Sequence, residues 1–190
     1  MDLTDIGYVE GLRLLYKPNS VDPKPLLLVS SDGEERVNVM PFGSWSVSPA
    51  EPTGWSFSLY ILKSHYSYDL VAQTGQFTVN LPREGMDETV KYCGSVSGRD
   101  HDKIKECGLT PVQSRHVGPP IIGECGVHIE CITQSISPFW MTFPGENKKD
   151  REMPLFVAEI ISIYAEPDIA QSVAEPDAVG ALGRQARTRR

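Results

Sequence analysis

The chain has 190 residues, with 18 basic and 25 acidic side chains and a formal net charge of -7. That length suits one domain able to bury about 70% of its unfolded surface, so neither a disulfide nor a metal is needed for folding. Hydrophobic residues at 40% and charged residues at 23% exclude a disordered chain, no apolar run reaches the roughly 18 residues of a spanning helix, and the acidic balance argues against nucleic acid as a partner.

Residues 1–21 open the chain as an N-terminal extension. Met1-Asp2-Leu3-Thr4-Asp5 is acidic and lacks the basic-then-apolar order of a secretory signal, which predicts a cytoplasmic protein. The domain itself is expected over 22–165. Pro23-Lys24-Pro25 precedes an apolar strand at 26–29, and Asp32-Gly33 supplies the turn into a partner strand at 36–40. Trp55, Phe57, Leu59 and Ile61 alternate with Ser56, Ser58 and Tyr60, which puts the apolar set on one face of a strand. Residues 67–75 read as a helix with a capping Ser67 and a terminating Gly75. Phe77, Val79 and Leu81 resume the period of two. Short helices follow at 86–94 and 100–108, each expected to close at its final glycine. Cys125, Val127, Ile129 and Cys131 alternate again, and Leu155–Ala165, apolar on both faces, reads as a central strand. Six strands without a βαβ rhythm predict a mainly β fold, an antiparallel sheet closed on itself with a few short helices. From Glu166 the composition changes, ending in Arg184, Arg187, Arg189 and Arg190, and 166–190 is expected to be a flexible tail.

Cys93, Cys107, Cys125 and Cys131 lie 14, 18 and 6 residues apart, with no CxxC pair and no histidine at zinc spacing. No metal site is expected, and the four are read as reduced thiols, with Cys93 buried.

Two segments have the composition of an anion receptor. Lys63-Ser64-His65-Tyr66-Ser67 runs from a strand end into a helix, whose first turn offers free N–H groups and the positive end of the dipole. A lysine, a histidine and two hydroxyls placed there suit a phosphate dianion. Ser97-Gly98-Arg99-Asp100-His101-Asp102-Lys103 repeats the arrangement. The plainer alternative for either segment alone is ordinary capping, by Ser67 and by Asp100, among solvated bases. A third stretch, from Asn38 to Pro49, mixes Phe42 and Trp45 with hydroxyls and an amide. It suits a planar amphipathic ligand, or a barrel corner with Trp45 in the core. GxSxG, P-loop and HExxH motifs are absent, as is a GxGxxG after a strand, so any dinucleotide would bind transiently in a shared groove.

Taken in order, these pieces resemble the flavin reductase-like family with an FMN-binding split barrel, flavoredoxins included. The resemblance rests on Pro25-Leu26-Leu27-Leu28-Val29-Ser30-Ser31 with Asn38, then Gly43-Ser44-Trp45-Ser46-Val47-Ser48-Pro49, then Ser64-His65-Tyr66-Ser67-Tyr68-Asp69-Leu70. Phe77-Thr78-Val79-Asn80-Leu81-Pro82, Cys93-Gly94, the Ser97 to Lys103 loop, Glu124-Cys125 through Cys131 and Leu155-Phe156-Val157-Ala158-Glu159-Ile160 continue it over about 22–165. It implies a six-stranded split barrel that forms a homodimer and holds FMN near the subunit interface. It further implies that FMN takes hydride from NAD(P)H, a transient co-substrate, and passes electrons to free flavin or to a protein acceptor such as a monooxygenase. On this chain Asn38, Ser44, Trp45 and Ser46 would line the isoalloxazine. Lys63, Ser64, His65 and Ser67 would hold the phosphate end, and Ser97, Gly98, Arg99 and Lys103 would close over the ribityl phosphate. The implied function is an NAD(P)H-dependent flavin reductase-like oxidoreductase; the alternative is an FMN electron carrier that does not oxidise NAD(P)H. No side chain is assigned as catalytic, because the redox chemistry belongs to the flavin. Three features depart from the family pattern. Met153 stands where many relatives have the histidine of Gly-Asp-His, His65 and Ser67 replace an arginine and a threonine in the phosphate loop, and Glu166–Arg190 does not match the longer, aromatic-bearing tail of relatives.

Overall fold

The alternating segments are strands, and one covalent constraint decides how they assemble. In the computed structural model, which describes residues 2–7, 11, 14–15, 25–50, 54–141 and 151–174, the strands are β1 (Thr4–Asp5), β2 (Leu26–Ser31), β3 (Val37–Phe42), β4 (Trp45–Ala50), β5 (Gly54–Tyr60), β6 (Gln76–Pro82), β7 (Pro111–Val112), β8 (Ile121–Ile122), β9 (Cys125–Ser137), β10 (Trp140–Met141), β11 (Arg151–Glu152) and β12 (Leu155–Ala165). The main sheet runs β3-β2-β6-β9-β12-β5-β4, with β1 added on β12, while β7/β8 and β10/β11 form two small ribbons. Every pairing is antiparallel. The ends of this order, β3 and β4, are consecutive in the chain and joined only by Gly43 and Ser44. Laid flat, the strands would hold those edges roughly 29 Å apart at about 4.8 Å per step. Three Cα steps reach about 11 Å at most. The sheet therefore curls until its edges meet. β3 and β4 do not pair with each other, and Pro41 and Pro49 each remove one N–H from these two strands. The expected split barrel is present, and β4, read from sequence as a ligand stretch or a corner, adds a seventh strand to the six.

Inside the barrel, Leu26, Leu28, Met40, Phe57, Phe77, Val79, Ile129 and Phe156 belong to one buried cluster. Each contributes about 1.5–3 kcal/mol when fully removed from water. β2 is buried on both faces. Its other face, Leu27 and Val29, joins Val39, Cys93, Leu109, Ile122 and Cys125 in a second cluster, to which the helix Asp87–Ser95 contributes Cys93. Gly94 lets that helix approach β3, since a Cβ there would lie 3.0 Å from Pro41 Cγ. A buried carboxylate, Glu130, is satisfied by the N–H groups of Arg115 (2.6 Å) and His116 (2.8 Å) and by the Tyr164 hydroxyl (2.6 Å).

Three helix boundaries differ from expectation. The first helix is Tyr66–Thr74, with His65 at the N-cap position and no side chain capping it. Ser67 does not cap because it lies inside the first turn, buried, where its Oγ accepts from Asn38 Nδ2 at 2.8 Å. Gly75 closes the helix at φ 69°, as expected. The helix Asp87–Ser95 runs through Gly94 and stops at an extended Val96. The third, Lys103–Glu106, is a single turn capped by Asp102 rather than Asp100, and Asp102 accepts from the Lys105 N–H. The expected tail begins with order: Pro167–Ala174 is helical, with Ile169 packed against the main core. The arginines at 184, 187, 189 and 190 lie outside the described residues. Part of the expected N-terminal extension packs on the barrel, through β1 on β12 and a buried Leu15. Among the described residues no helix is long and apolar enough to cross a membrane.

Candidate functional site

Where the helix Tyr66–Thr74 meets β3, polar groups collect at one end of the barrel. The turn before the helix is set by the His65 N–H on the Leu62 carbonyl (2.9 Å), and the helix starts with the Tyr68 N–H on the His65 carbonyl (3.0 Å). With no side chain capping this start, first-turn N–H groups are left to a ligand or solvent. Opposite them, Asn38 is buried; it donates to Ser67, while its Oδ1 has no hydrogen-bond partner. Gly98 lies directly on that amide, and a Cβ at 98 would sit 2.0 Å from Asn38 Oδ1 and 2.7 Å from its Cγ. Lys103 is only 4% exposed. Its Nζ donates to the carbonyls of Val39 (3.0 Å) and Cys93 (2.7 Å). An ammonium has three N–H donors, so one is left over.

These groups enclose an open cavity of about 270 Å³, whose polar wall includes Asn38, Ser64, His65, Ser67, Ser97 and Lys103 and whose apolar wall includes Met40, Pro41, Cys93 and Val96. Burial lowers the pKa of Lys103 from its ordinary 10.5. The His65 imidazole is held below its usual 6.5, first by burial and then by the positive charges of Lys103, Arg99 and Arg151. The cations that discourage a proton on His65 would attract an anion to the same space.

Of the twelve expected residues, Asn38, Ser64, His65, Ser67, Ser97, Gly98 and Lys103 line this cavity. Arg99 lines a second cavity, also about 270 Å³, that shares Tyr66 and Gly98 with the first and adds Arg36. Its guanidinium is engaged by Asp69 (2.6 Å) and the Ser64 carbonyl (3.0 Å), and its Cζ lies 5.3 Å from the Tyr66 ring centroid. Lys63 is exposed and paired with Glu152 at 2.9 Å. Ser44, Trp45 and Ser46 line neither cavity. Trp45 stacks on Phe57 at 5.8 Å with its ring plane inclined by 19°, as in the corner alternative. The expected second helix start is not an anion site of that kind: its one turn is already capped by Asp102, and what this segment gives the cavity is Ser97, the bare Gly98 backbone and the buried Lys103. Of the apolar wall, Met40 and Pro41 fall inside the Asn38–Pro49 stretch that suits a planar ligand, whereas Cys93 and Val96 carry no such signal in the sequence.

The profile of the family described as flavin reductase like domain matches residues 22–174. An uncharacterized protein of Archaeoglobus fulgidus is 33% identical over 105 residues, covering 55% of this chain and 57% of that protein. The chain thus spans less than two thirds of this curated relative's length. A flavoredoxin of Methanosarcina acetivorans is similar in structure, with a TM-score of 0.62, 29% identity, and coverage of 80% of this chain and 75% of that one. An FMN-binding domain of a flavin reductase-like enzyme from Shewanella baltica superposes with a TM-score of 0.64 at 20% identity, covering 87% and 78% of the two chains. The last likeness concerns the fold alone. Through the match over 22–174, the chain belongs to the flavin reductase-like domain family.

Proposed function

We propose that this protein binds FMN in the Asn38–Lys103 cavity and works as an NAD(P)H-dependent oxidoreductase, reducing flavin or passing electrons to a protein acceptor. The observation behind this reading is a buried, unpartnered acceptor, Asn38 Oδ1, beside a buried ammonium and an uncapped helix start, in a space that only glycine at 98 leaves free. The donor set fits a flavin phosphate. Lys103, the hydroxyls of Ser64 and Ser97, and first-turn N–H groups would hold the dianion. Asn38 would accept from a ligand N–H or hydroxyl, which removes its unsatisfied state. Arg99, tied to the Ser64 carbonyl, positions that turn from outside. His65 would take up a proton as the anion arrives. Ser44, Trp45 and Ser46 sit at the β3/β4 corner and are assigned to the ring end, and Lys63 to the outer rim. Bound FMN would supply the hydride-accepting and electron-passing chemistry.

Ile136, Phe139 and Trp140, close in sequence at the end of β9 and the start of β10, are exposed at 40%, 39% and 60%, and we assign this apolar stretch to a homodimer. If FMN lies at that interface, dilution to monomer releases it. The direct test is anaerobic mixing of the yellow protein with NADH and NADPH. Bleaching on a turnover timescale supports the reading, and a colourless protein that stays flavin-free in excess FMN refutes it. The carrier alternative is favoured by Met153, whose thioether is only a weak acceptor at the position of the relatives' histidine. A yellow protein bleached by dithionite but indifferent to both nicotinamides would establish it.

A further inference from the structure

Cys93 and Cys107 are 14 residues apart in the chain, yet their Sγ atoms lie 3.9 Å apart. A disulfide needs about 2.05 Å, a closure of the order that a side-chain rotation supplies. Cys93 is buried in the second core cluster and lines the candidate cavity. Cys107 is partly exposed, at the end of the Lys103–Glu106 turn. Between them runs the segment bearing Ser97, Gly98 and Lys103, and the Lys103 Nζ bonds the Cys93 carbonyl at 2.7 Å. Cys125 and Cys131 are fully buried, and neither is within bonding reach of a second sulfur among the described contacts.

We propose that Cys93 and Cys107 form a reversible disulfide that clamps the 96–102 loop against the cavity. The oxidant is hydrogen peroxide. The more exposed Cys107 thiolate attacks one peroxide oxygen, the O–O bond breaks, and hydroxide leaves with a proton as water. The Cys93 sulfur then attacks the resulting Cys107 sulfenic acid, the S–O bond breaks, an S–S bond forms, and a second water leaves. Two thiols and one peroxide give one disulfide and two waters; the sulfurs lose two electrons and the peroxide oxygens gain them. Burial first, and then the neighbouring Cys107, push the Cys93 thiol up to about 12. Oxidation of Cys107 to a neutral sulfenic acid removes the second of these causes, so the resolving sulfur becomes easier to ionise once the first step is done.

Clamping does not require flavin, although its consequence for FMN affinity rests on the function proposed above. Reduced full-length protein is treated with peroxide in slight excess, alkylated and digested with trypsin. Free thiols should fall from four to two, the peptides 92–99 and 106–115 should be joined, and dithiothreitol should restore all four. Hydrogen exchange of the 96–102 amides should slow by roughly tenfold in the oxidised protein. Cys107→Ser should abolish the link and Cys125→Ser should leave it. Over-oxidation of Cys107 without a link, a link through Cys125 or Cys131, or a link without slower exchange overturns the proposal. A correct link with slowed exchange in a protein that binds no FMN upholds the clamp and refutes the flavin reading.

Discussion

Replacing Gly98 by alanine tests the geometry of the site with one added carbon. Gly98 is not among the glycines with positive φ, so the backbone itself accepts alanine, and space is the only objection. The new Cβ would stand 2.0 Å from Asn38 Oδ1, 2.7 Å from its Cγ and 3.1 Å from Tyr66 Cδ1. To reach an ordinary contact the amide must retreat by more than an ångström, and Asn38 is held by its 2.8 Å bond to the buried Ser67. Overpacking of this kind costs about 1–3 kcal/mol, offset by about 0.4–1 kcal/mol because alanine has fewer unfolded conformations than glycine. The difference is a net loss of about 0–2.6 kcal/mol; its midpoint, about 1.3 kcal/mol, lowers Tm by about 3–5 °C for a domain of this size. Binding suffers more directly, since the displaced amide enters the volume assigned to the flavin. An affinity loss of tenfold or more, about 1.4 kcal/mol, is expected from FMN fluorescence titration. Gly43→Ala is the control: nothing lies within 4 Å of its Cβ position, so affinity should stay unchanged and stability should hold or rise by the same ~0.4–1 kcal/mol. If Gly98→Ala melts and binds like the parent, the close packing of loop on amide does not exist and the site argument fails with it.

Four single side chains carry the remaining outcomes. Lys103→Met should weaken FMN binding by about 1.5–3 kcal/mol, the range for hydrogen bonds to charged groups, measured by the same titration. Because the folded protein holds the Lys103 pKa below its ordinary 10.5, the unfolded chain binds more protons in that interval, and parent stability should rise relative to Lys103→Met as pH increases toward 10.5 in chemical denaturation. His65 starts below 6.5, and a bound phosphate raises it; FMN affinity should therefore fall, relative to His65→Gln, as pH rises from the free to the bound value, and parallel pH profiles for the two proteins would remove His65 from the site. Arg99→Ala should weaken FMN by roughly three- to tenfold, less than Lys103→Met, since its guanidinium is exposed and already engaged by Asp69 and the Ser64 carbonyl; a larger loss would place it on the phosphate. Tyr164→Phe should destabilise the fold by about 1.5–3 kcal/mol through lost donation to Glu130, with FMN affinity unchanged, as urea unfolding and titration would show.

Strands were the most legible part of this chain, because a period of two survives in residues such as Phe57/Leu59 and Phe77/Val79 whatever the tertiary setting. β4 was less legible: Trp45 and Val47 alternate with Ser46 and Ser48 and pack on the core, but the run is a short, half-exposed edge strand that carries Pro49. Helix ends were less legible than helix positions. Ser67 has the chemistry of a cap, but Asn38, 29 residues away in sequence, claims its hydroxyl. The polar half of the site could be read because lysine, histidine, serine and glycine clustered along short stretches. Its apolar half was legible only on β3, where Met40 and Pro41 lie in the Asn38–Pro49 stretch; Cys93 and Val96 join them only after β3 and the helix Asp87–Ser95 pack together. The 3.9 Å approach of Cys93 to Cys107 has the same origin; a 14-residue separation reveals nothing about spatial distance.

The split in the barrel and the cavity meet on one strand, β3. On β3 the even positions Met40 and Phe42 face the interior core, whereas Val37 and Val39 pack with the outer cluster. Asn38 shares the parity of Met40, so it occupies a core position at the end of the apolar row, where Ser67 on the helix Tyr66–Thr74 covers it. An apolar residue there would close the barrel end. An asparagine with an unsatisfied Oδ1 instead costs about 1–3 kcal/mol. Pro41, three residues on, has no N–H to offer that edge and receives the bare face of Gly94, which brings Cys93 and the Lys103 contact to the cavity. Thus a buried amide at a core parity, a proline on the neighbouring edge and two close-packed glycines hold open at one spot a barrel that is otherwise filled. The destabilisation is local and chemically specific, confined to groups that a phosphate-bearing planar ligand would satisfy.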